Sequence, residues 1–291
     1  MNSFSATQQV SRVIEELLAD GTLTMEKNVP NAKLKVTGTR PNLNFYIFTG
    51  EPPKQDCFYQ RRIIFNRLGF IPSFCQENCW KIVMNLNSGI QAHRLYEILD
   101  YFNIPGKAGY DPRTYTEGCW KGFAYNPDSE TGLEARDFLR GIVPGEMNAV
   151  DSDPDNIVVE SDIYLKRGCT EMEMQAPSDV WEFSQTGKDL EAALLTYVEP
   201  GCDDYIQSQW MINQCKMEWI RLAYSIADPT WKALTRKIYN IAESTPLALY
   251  QPSVQYEWDE DEDGEARDPV LSSEGAATPP RTNLDGVKLN D

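Results

Sequence analysis

A chain of 291 residues can bury a sizeable core, and 41% hydrophobic content with seven Trp, fourteen Tyr and eleven Phe is the composition of a folded protein. The net charge of −17 excludes a uniformly basic nucleic-acid or membrane-surface binder. No apolar run approaches the roughly 18 residues of a spanning helix, so no membrane partner is expected. Met1 to Gln9 lack the basic flank and apolar run of a secretory signal. The expected compartment is therefore intracellular, in the cytoplasm, with the seven cysteines reduced.

The charge is unevenly spread. Residues 54–125 carry nine bases against six acids, a net of +3, whereas residues 126–251 carry a net of −12 and residues 252–291 a net of −8. The one net-basic stretch also holds Cys57, Cys75, Cys79 and Cys119 and the only histidine, His93.

In chain order, Val10, Val13, Ile14, Leu17 and Leu18 have the spacing of one helical face, and Gly21 follows as a cap. Such a face needs a partner surface, either the rest of the chain or a second subunit. Residues 33–37 and 43–49 read as two strands of a hairpin joined through the turn 37–42, ended by Pro52 and Pro53. The segment 57–69 reads as a helix stopped by Gly69, and Lys81 to Met84 as a strand. Leu95, Ile98, Leu99 and Phe102 place a helix over 91–103, starting near Ser88 or Gly89 and stopped by Pro105-Gly106. Residues 104–118 read as a loop. Cys119 to Tyr125 reads as a strand, followed by a helix with Thr131 and Glu134 as a capping box. Pro144 to Asn156 reads as an acidic loop and Ile157 to Leu165 as a strand. Beyond Gly168 helices dominate, among them a central one through Ile212, Cys215, Trp219, Leu222 and Ile226, and one opened by Asp228 and Pro229. From Pro252 the periodicity vanishes, and the acidic run 257–265 cannot bury enough apolar surface to offset the entropy of ordering.

These readings predict an α+β protein. Residues 1–150 form a mixed region with a small sheet, 151–251 a mainly helical region packed on it, and 252–291 a disordered acidic tail.

Two site candidates fall in the basic stretch. Arg61, Arg62, Arg67, Lys81, Arg94, Lys107, Arg113 and Lys121 are interleaved with Tyr59, Trp80, Tyr110, Tyr115, Trp120 and Phe123. Cations bind phosphates and ring faces stack on bases, so this mixture points to nucleic acid, with Trp80, Tyr115 and Trp120 as stacking rings. The expected function is that of a nucleic-acid-associated protein of viral or mobile-element type. The alternative takes Cys57, Cys75, Cys79 and Cys119 as thiolate ligands of zinc or an iron–sulfur cluster, although paired C-x2-C knuckles are absent. A third reading is an assembly protein whose N-terminal helix mates with another subunit and whose tail recruits a basic partner protein. No catalytic residue is assigned. The lone His93 excludes histidine-pair zinc motifs and sits beside the apolar stripe of its helix, where a structural role is expected. Pro105 to Gly109 holds two glycines in a loop, and no phosphate-binding G-x4-G-K-(S/T) occurs.

Overall fold

The computed structural model describes residues 6–25, 33–36, 45–51, 57, 59–113, 116, 118–175, 185–199 and 207–242. The turn 37–42, Tyr115 and the acidic segment 252–291, with the partner site expected on it, lie outside them. Among the described residues, no helix is long and apolar enough to cross a membrane.

The protein is α+β, with its centre in a five-stranded antiparallel sheet. The elements up to that sheet are α1 (Ala6–Ala19), β1 (Leu23–Thr24), β2 (Leu34–Val36) and β3 (Tyr46–Thr49), then a π-helix (Tyr59–Leu68) and α2 (Ser73–Glu77). Next come β4 (Trp80–Leu86), α3 (Gly89–Tyr101), β5 (Gly106–Tyr110), β6 (Trp120–Asn126), α4 (Ser129–Val150) and β7 (Ile163–Arg167). The sheet order is β3-β5-β6-β4-β7 with every neighbouring pair antiparallel. Strands β4 and β5 are both antiparallel to β6, so they run parallel to each other and α3 connects them. By the same reasoning α4 connects β6 to β7 across β4. Two split βαβ units are thus interleaved in the β-α-β-β-α-β order of ferredoxin-like sheets, with β3 added at one edge.

Alternation along the strands gives the sheet one apolar face. Ile82, Met84 and Leu86 of β4, Ala108 of β5, Trp120 and Ala124 of β6 and Ile163 of β7 are buried beneath the helices. Gly122 belongs to this face, and a Cβ there would stand 2.0 Å from Leu95 Cδ2, so glycine lets α3 sit close over β6. Outside this layer, α7 (Gln209–Ser225) and α8 (Trp231–Tyr239) pack on α3. Trp219 of α7 is fully buried, donates its indole N–H to the Phe45 carbonyl at 2.9 Å and meets Trp120 edge to face. The amides that open α3 are capped from a distant segment, Gly89 N–H by Asp228 Oδ2 at 2.6 Å and Ile90 N–H by Thr230.

A second cluster joins α1, the π-helix and α6 (Gln185–Leu195) to a small sheet of order β1-β2-β8, where β8 is Val198–Glu199. Val10, Val13 and Leu17 pack there, so the apolar face of α1 is covered from within the chain. In the π-helix, Tyr59 and Ile64, and Ile63 and Leu68, lie five residues apart, one turn of i→i+5 winding, and all four enter this cluster.

Several expected elements differ. No hairpin joins β2 and β3, because they belong to different sheets. The expected loop 104–118 contains β5, whose Gly106 and Gly109 weaken the strand signal. A Cβ at Gly109 would meet the Phe45 carbonyl oxygen at 1.9 Å, so close approach of β3 requires glycine. Helix α4 starts at Ser129 with Asp128 as its N-cap, three residues before the expected capping box, and continues through Pro144 to Val150. The buried anchors Val143 and Met147 hold the helix on course despite the amide missing at Pro144. Strand β7 begins six residues later than expected, after a 3-10 turn at Glu160–Asp162.

Candidate functional site

The opposite face of the sheet has a different chemistry. The registers place Tyr46 and Phe48 of β3, Lys107 and Gly109 of β5, Lys121, Phe123 and Tyr125 of β6, Lys81, Val83 and Asn85 of β4, and Tyr164 and Lys166 of β7 on it. Among these strand residues are four lysines, five aromatic rings and no carboxylate. Arg113, just past β5, joins the face. The Asp111 carboxylate accepts from its Nε at 2.7 Å and from Nη2 at 2.6 Å and orients the guanidinium.

The lysines differ in what holds them. Lys107 Nζ sits 4.0 Å above the Tyr46 ring, with Phe123 at 5.1 Å and Phe48 at 5.7 Å, a cage of ring faces. Burial pushes its amine down to about 8, and the neighbouring charges of Arg113 and Lys81 act in the same direction. Lys121 is 4% exposed and its Nζ reaches Asn85 Oδ1 at 3.3 Å. Lys166 donates to Thr170 Oγ1 at 3.0 Å and pairs with Glu173 of α5 (Thr170–Gln175). Lys81 Nζ lies 3.2 Å from Cys169 Sγ. Burial acts to lower the Lys81 amine, but the sulfurs of Cys169 and Cys79 outweigh it and hold the ammonium form. Cys79 is correspondingly pushed down to about 6, chiefly by the hydrogen bond from Cys75, with burial opposing and the Lys81 charge assisting. Cys75, the donor, is pushed up by that bond and by burial.

Between β4, β6, β7 and α5 lies a cleft of ≈ 230 Å³ lined by Val83, Arg113, Thr116, Lys121, Phe123, Tyr164, Lys166, Thr170 and Glu173. Phe123, 8% exposed, lies deep in this face, and Tyr164, 38% exposed, is the ring at its solvent edge.

Of the residues expected to bind nucleic acid, Lys81, Lys107, Lys121 and Arg113 are brought together here. The others are elsewhere. Trp120 points to the helix face, 1% exposed, packed edge to face on Tyr110 and Trp219. Trp80 shares that side and stacks under Arg167. Arg94 is on α3, paired with Glu97 and Glu146. Arg61 and Arg62 are on the π-helix, as is Arg67, which pairs with Asp20 at 2.6 Å. Tyr115 lies outside the described residues. The rings that do share the face with the lysines are Tyr46, Phe48, Phe123, Tyr125 and Tyr164. Lys166 joins them from a region that the charge balance marks as acidic. Period-two alternation, Lys121-x-Phe123-x-Tyr125 and Tyr164-x-Lys166, is the signal that finds them.

The expected thiolate set does not assemble. Cys75, Cys79 and Cys169 cluster near the start of β4 with Phe65 and Met172, and the charges of Cys57 and Cys79 both act on Lys81. Cys119 flanks the other end of the β4–β6 ladder, where Trp120 faces Leu86 while Trp80 faces Asn126. Cys79 and Cys119 each lie one residue beyond an end of the ladder, so at ~3.3 Å per residue Cys119 is ~25 Å from Cys79. Among the described residues no three His, Cys, Asp or Glu side chains form a group that would hold a metal ion. His93 is 4% exposed, edge-on to Trp219, its Nδ1 without a hydrogen bond and 3.8 Å from Glu97. Burial pushes it down to about 4, so it is uncharged at neutral pH.

No protein-family model matches the chain, and no curated protein and no solved structure matches it at a significant level.

Proposed function

We propose that this chain binds single-stranded nucleic acid through the lysine-and-aromatic face of its five-stranded sheet. The observation that carries the reading is the composition of that face: cations and rings alternate along the strands, and no carboxylate is among the strand residues. Phosphates need the first group and unstacked bases the second.

The order of residues on β6 supports the same reading. Lys121-Gly122-Phe123-Ala124-Tyr125 follows the (Lys/Arg)-Gly-(Phe/Tyr)-(Gly/Ala)-aromatic order that RNA-recognition sheets carry. Such sheets stack two or three bases on their rings. Here the small residues face α3 and the lysine and rings face away from it. The pattern departs from that order at Asn126, where an apolar residue is usual, and at Asp128, where an aromatic one is, and Val83 stands opposite Phe123.

Because Lys121 and Phe123 are shielded, the ligand approaches from the β7 edge, where Tyr164 is exposed. The test is a fluorescence-anisotropy titration with single-stranded RNA and DNA over a range of salt. Three or four phosphate contacts give a log–log salt slope of about −2 to −3. A flat, salt-independent titration contradicts the reading.

A further inference from the structure

The thiols at the start of β4 take no part in the proposed strand binding, and they have a chemistry of their own. We infer that Cys169 and Cys79 form a peroxide-reactive pair: hydrogen peroxide oxidises Cys169, and Cys79 closes a disulfide with it across the β4–β7 edge, beside the Lys81 ammonium.

The first ground is placement. The β4–β7 ladder ends at Trp80–Arg167, and just beyond it the Gly168 amide donates to the Cys79 carbonyl at 2.7 Å. A hydrogen-bonded antiparallel pair stands about 5.5 Å apart at Cα, inside the range that a disulfide bridges, and Cys169 is the next residue. Gly168 has a φ of 70°, and the turn it makes brings Cys169 back against the cluster that buries Cys75 and Cys79. There Cys169 Sγ lies 3.2 Å from Lys81 Nζ, and the Lys81 charge acts on Cys79 too, so one ammonium serves both sulfurs.

The second ground is a division of roles. Cys75 is 1% exposed and Cys79 6% exposed, whereas Cys169 is half-buried and is the thiol of this cluster that a small solute can reach. Cys79 supplies the nucleophile. The hydrogen bond from Cys75 holds it down to about 6, with burial opposing and the Lys81 charge assisting, so it is a thiolate at neutral pH. A reachable thiol beside a thiolate that can resolve it is the arrangement of redox-sensing cysteines.

In the first step Cys169 Sγ attacks one peroxide oxygen. An S–O bond forms, the O–O bond breaks, and the departing hydroxide leaves as water with the thiol proton. The Cys79 thiolate then attacks Cys169 Sγ. An S–S bond forms, the S–O bond breaks, and the hydroxide takes a proton from Lys81 Nζ, which solvent restores. The two sulfurs together lose two electrons, and the peroxide becomes two waters.

The test treats the reduced full chain with stoichiometric hydrogen peroxide, blocks the remaining thiols with N-ethylmaleimide and maps the peptides by mass spectrometry. Two alkylatable thiols per chain should be lost, a peptide pair linking Cys79 to Cys169 should appear, and dithiothreitol should reverse both. In Cys79→Ser, dimedone should trap a sulfenic acid on Cys169. Cys169→Ser should leave Cys79 alkylatable after peroxide. Because Cys169 is half-buried, its variant gives the readout even if loss of the buried Cys79 impairs folding. The inference is overturned if every thiol stays alkylatable, if a Cys75–Cys79 or intermolecular disulfide forms in place of the expected one, or if Cys79 is still oxidised in Cys169→Ser.

Discussion

The two faces of one sheet divide the work of this protein. The side under α3 and α4 is apolar, closed by Trp120 and Trp219, and admits glycine where the helix approaches most closely. The other side carries Lys81, Lys107, Lys121 and Lys166 among five rings, although buried ammonium groups oppose folding. On the proposed reading the contrast separates stability from binding: substitutions on the helix side should act on folding, and those on the lysine side on the proposed ligand.

The largest effect belongs to the helix side. Trp120→Ala removes a fully packed indole, and urea denaturation should show a loss of about 3–5 kcal/mol. A loss below 1 kcal/mol would mean that this face is not the core. The next tests the same layer by pH. His93 is pushed down to about 4 in the folded state from an ordinary value near 6.5, so between those values the unfolded chain binds more protons. Stability should therefore fall by about 3 kcal/mol as pH drops from 7 to 4, by a difference that His93→Gln reduces. The buried His93 faces Glu97 on its own helix, which opposes the shift, and Lys216, Lys237 and Arg94, which reinforce it.

On the lysine side the expected pattern reverses. Phe123→Ala should weaken single-strand binding by about 1–3 kcal/mol, the worth of one stacked base. Lys107→Met should weaken binding while leaving stability unchanged or raised, since an apolar side chain suits the ring cage. With its folded amine near 8 and its unfolded amine near 10.5, Lys107 makes the protein gain stability as pH rises through that window. The Met variant should lack that gain. The smallest effect is the control: Arg94→Ala, which breaks an exposed pair with Glu146, should cost less than about 1 kcal/mol and leave binding unchanged.

How much of this division was legible in the sequence depends on the period of each signal. The helices through Leu95 to Phe102 and through Trp219 were readable because apolar residues recur at helical spacing over many turns. Strand β5 was not, since Gly106-Lys-Ala-Gly-Tyr has little side chain to show alternation, and its glycines exist for the close approach of β3. Counting charge along the chain marked a stretch that holds Lys81, Lys107, Arg113 and Lys121 of the lysine face, but it treated neighbours as partners. Trp120 and Lys121 are adjacent in sequence and on opposite faces of β6, so one is core beneath the helices and the other lies on the lysine face. The contribution of Tyr164 and Lys166 was hidden because β7 reaches the sheet edge only through α4, and nothing local in an acidic segment reveals that neighbour. Cys119 illustrates the same limit, near the other cysteines in sequence and a ladder's length away in space.

Photocrosslinking tests the central claim most directly. A 4-thiouridine-bearing single strand is irradiated with the full chain and the crosslinked peptides are identified by mass spectrometry. Crosslinks should fall on the peptides containing Phe123, Tyr125 and Tyr164 and disappear with excess unlabelled strand. Competed crosslinks confined to the π-helix arginines or to α3, with none on β6 or β7, would contradict the account.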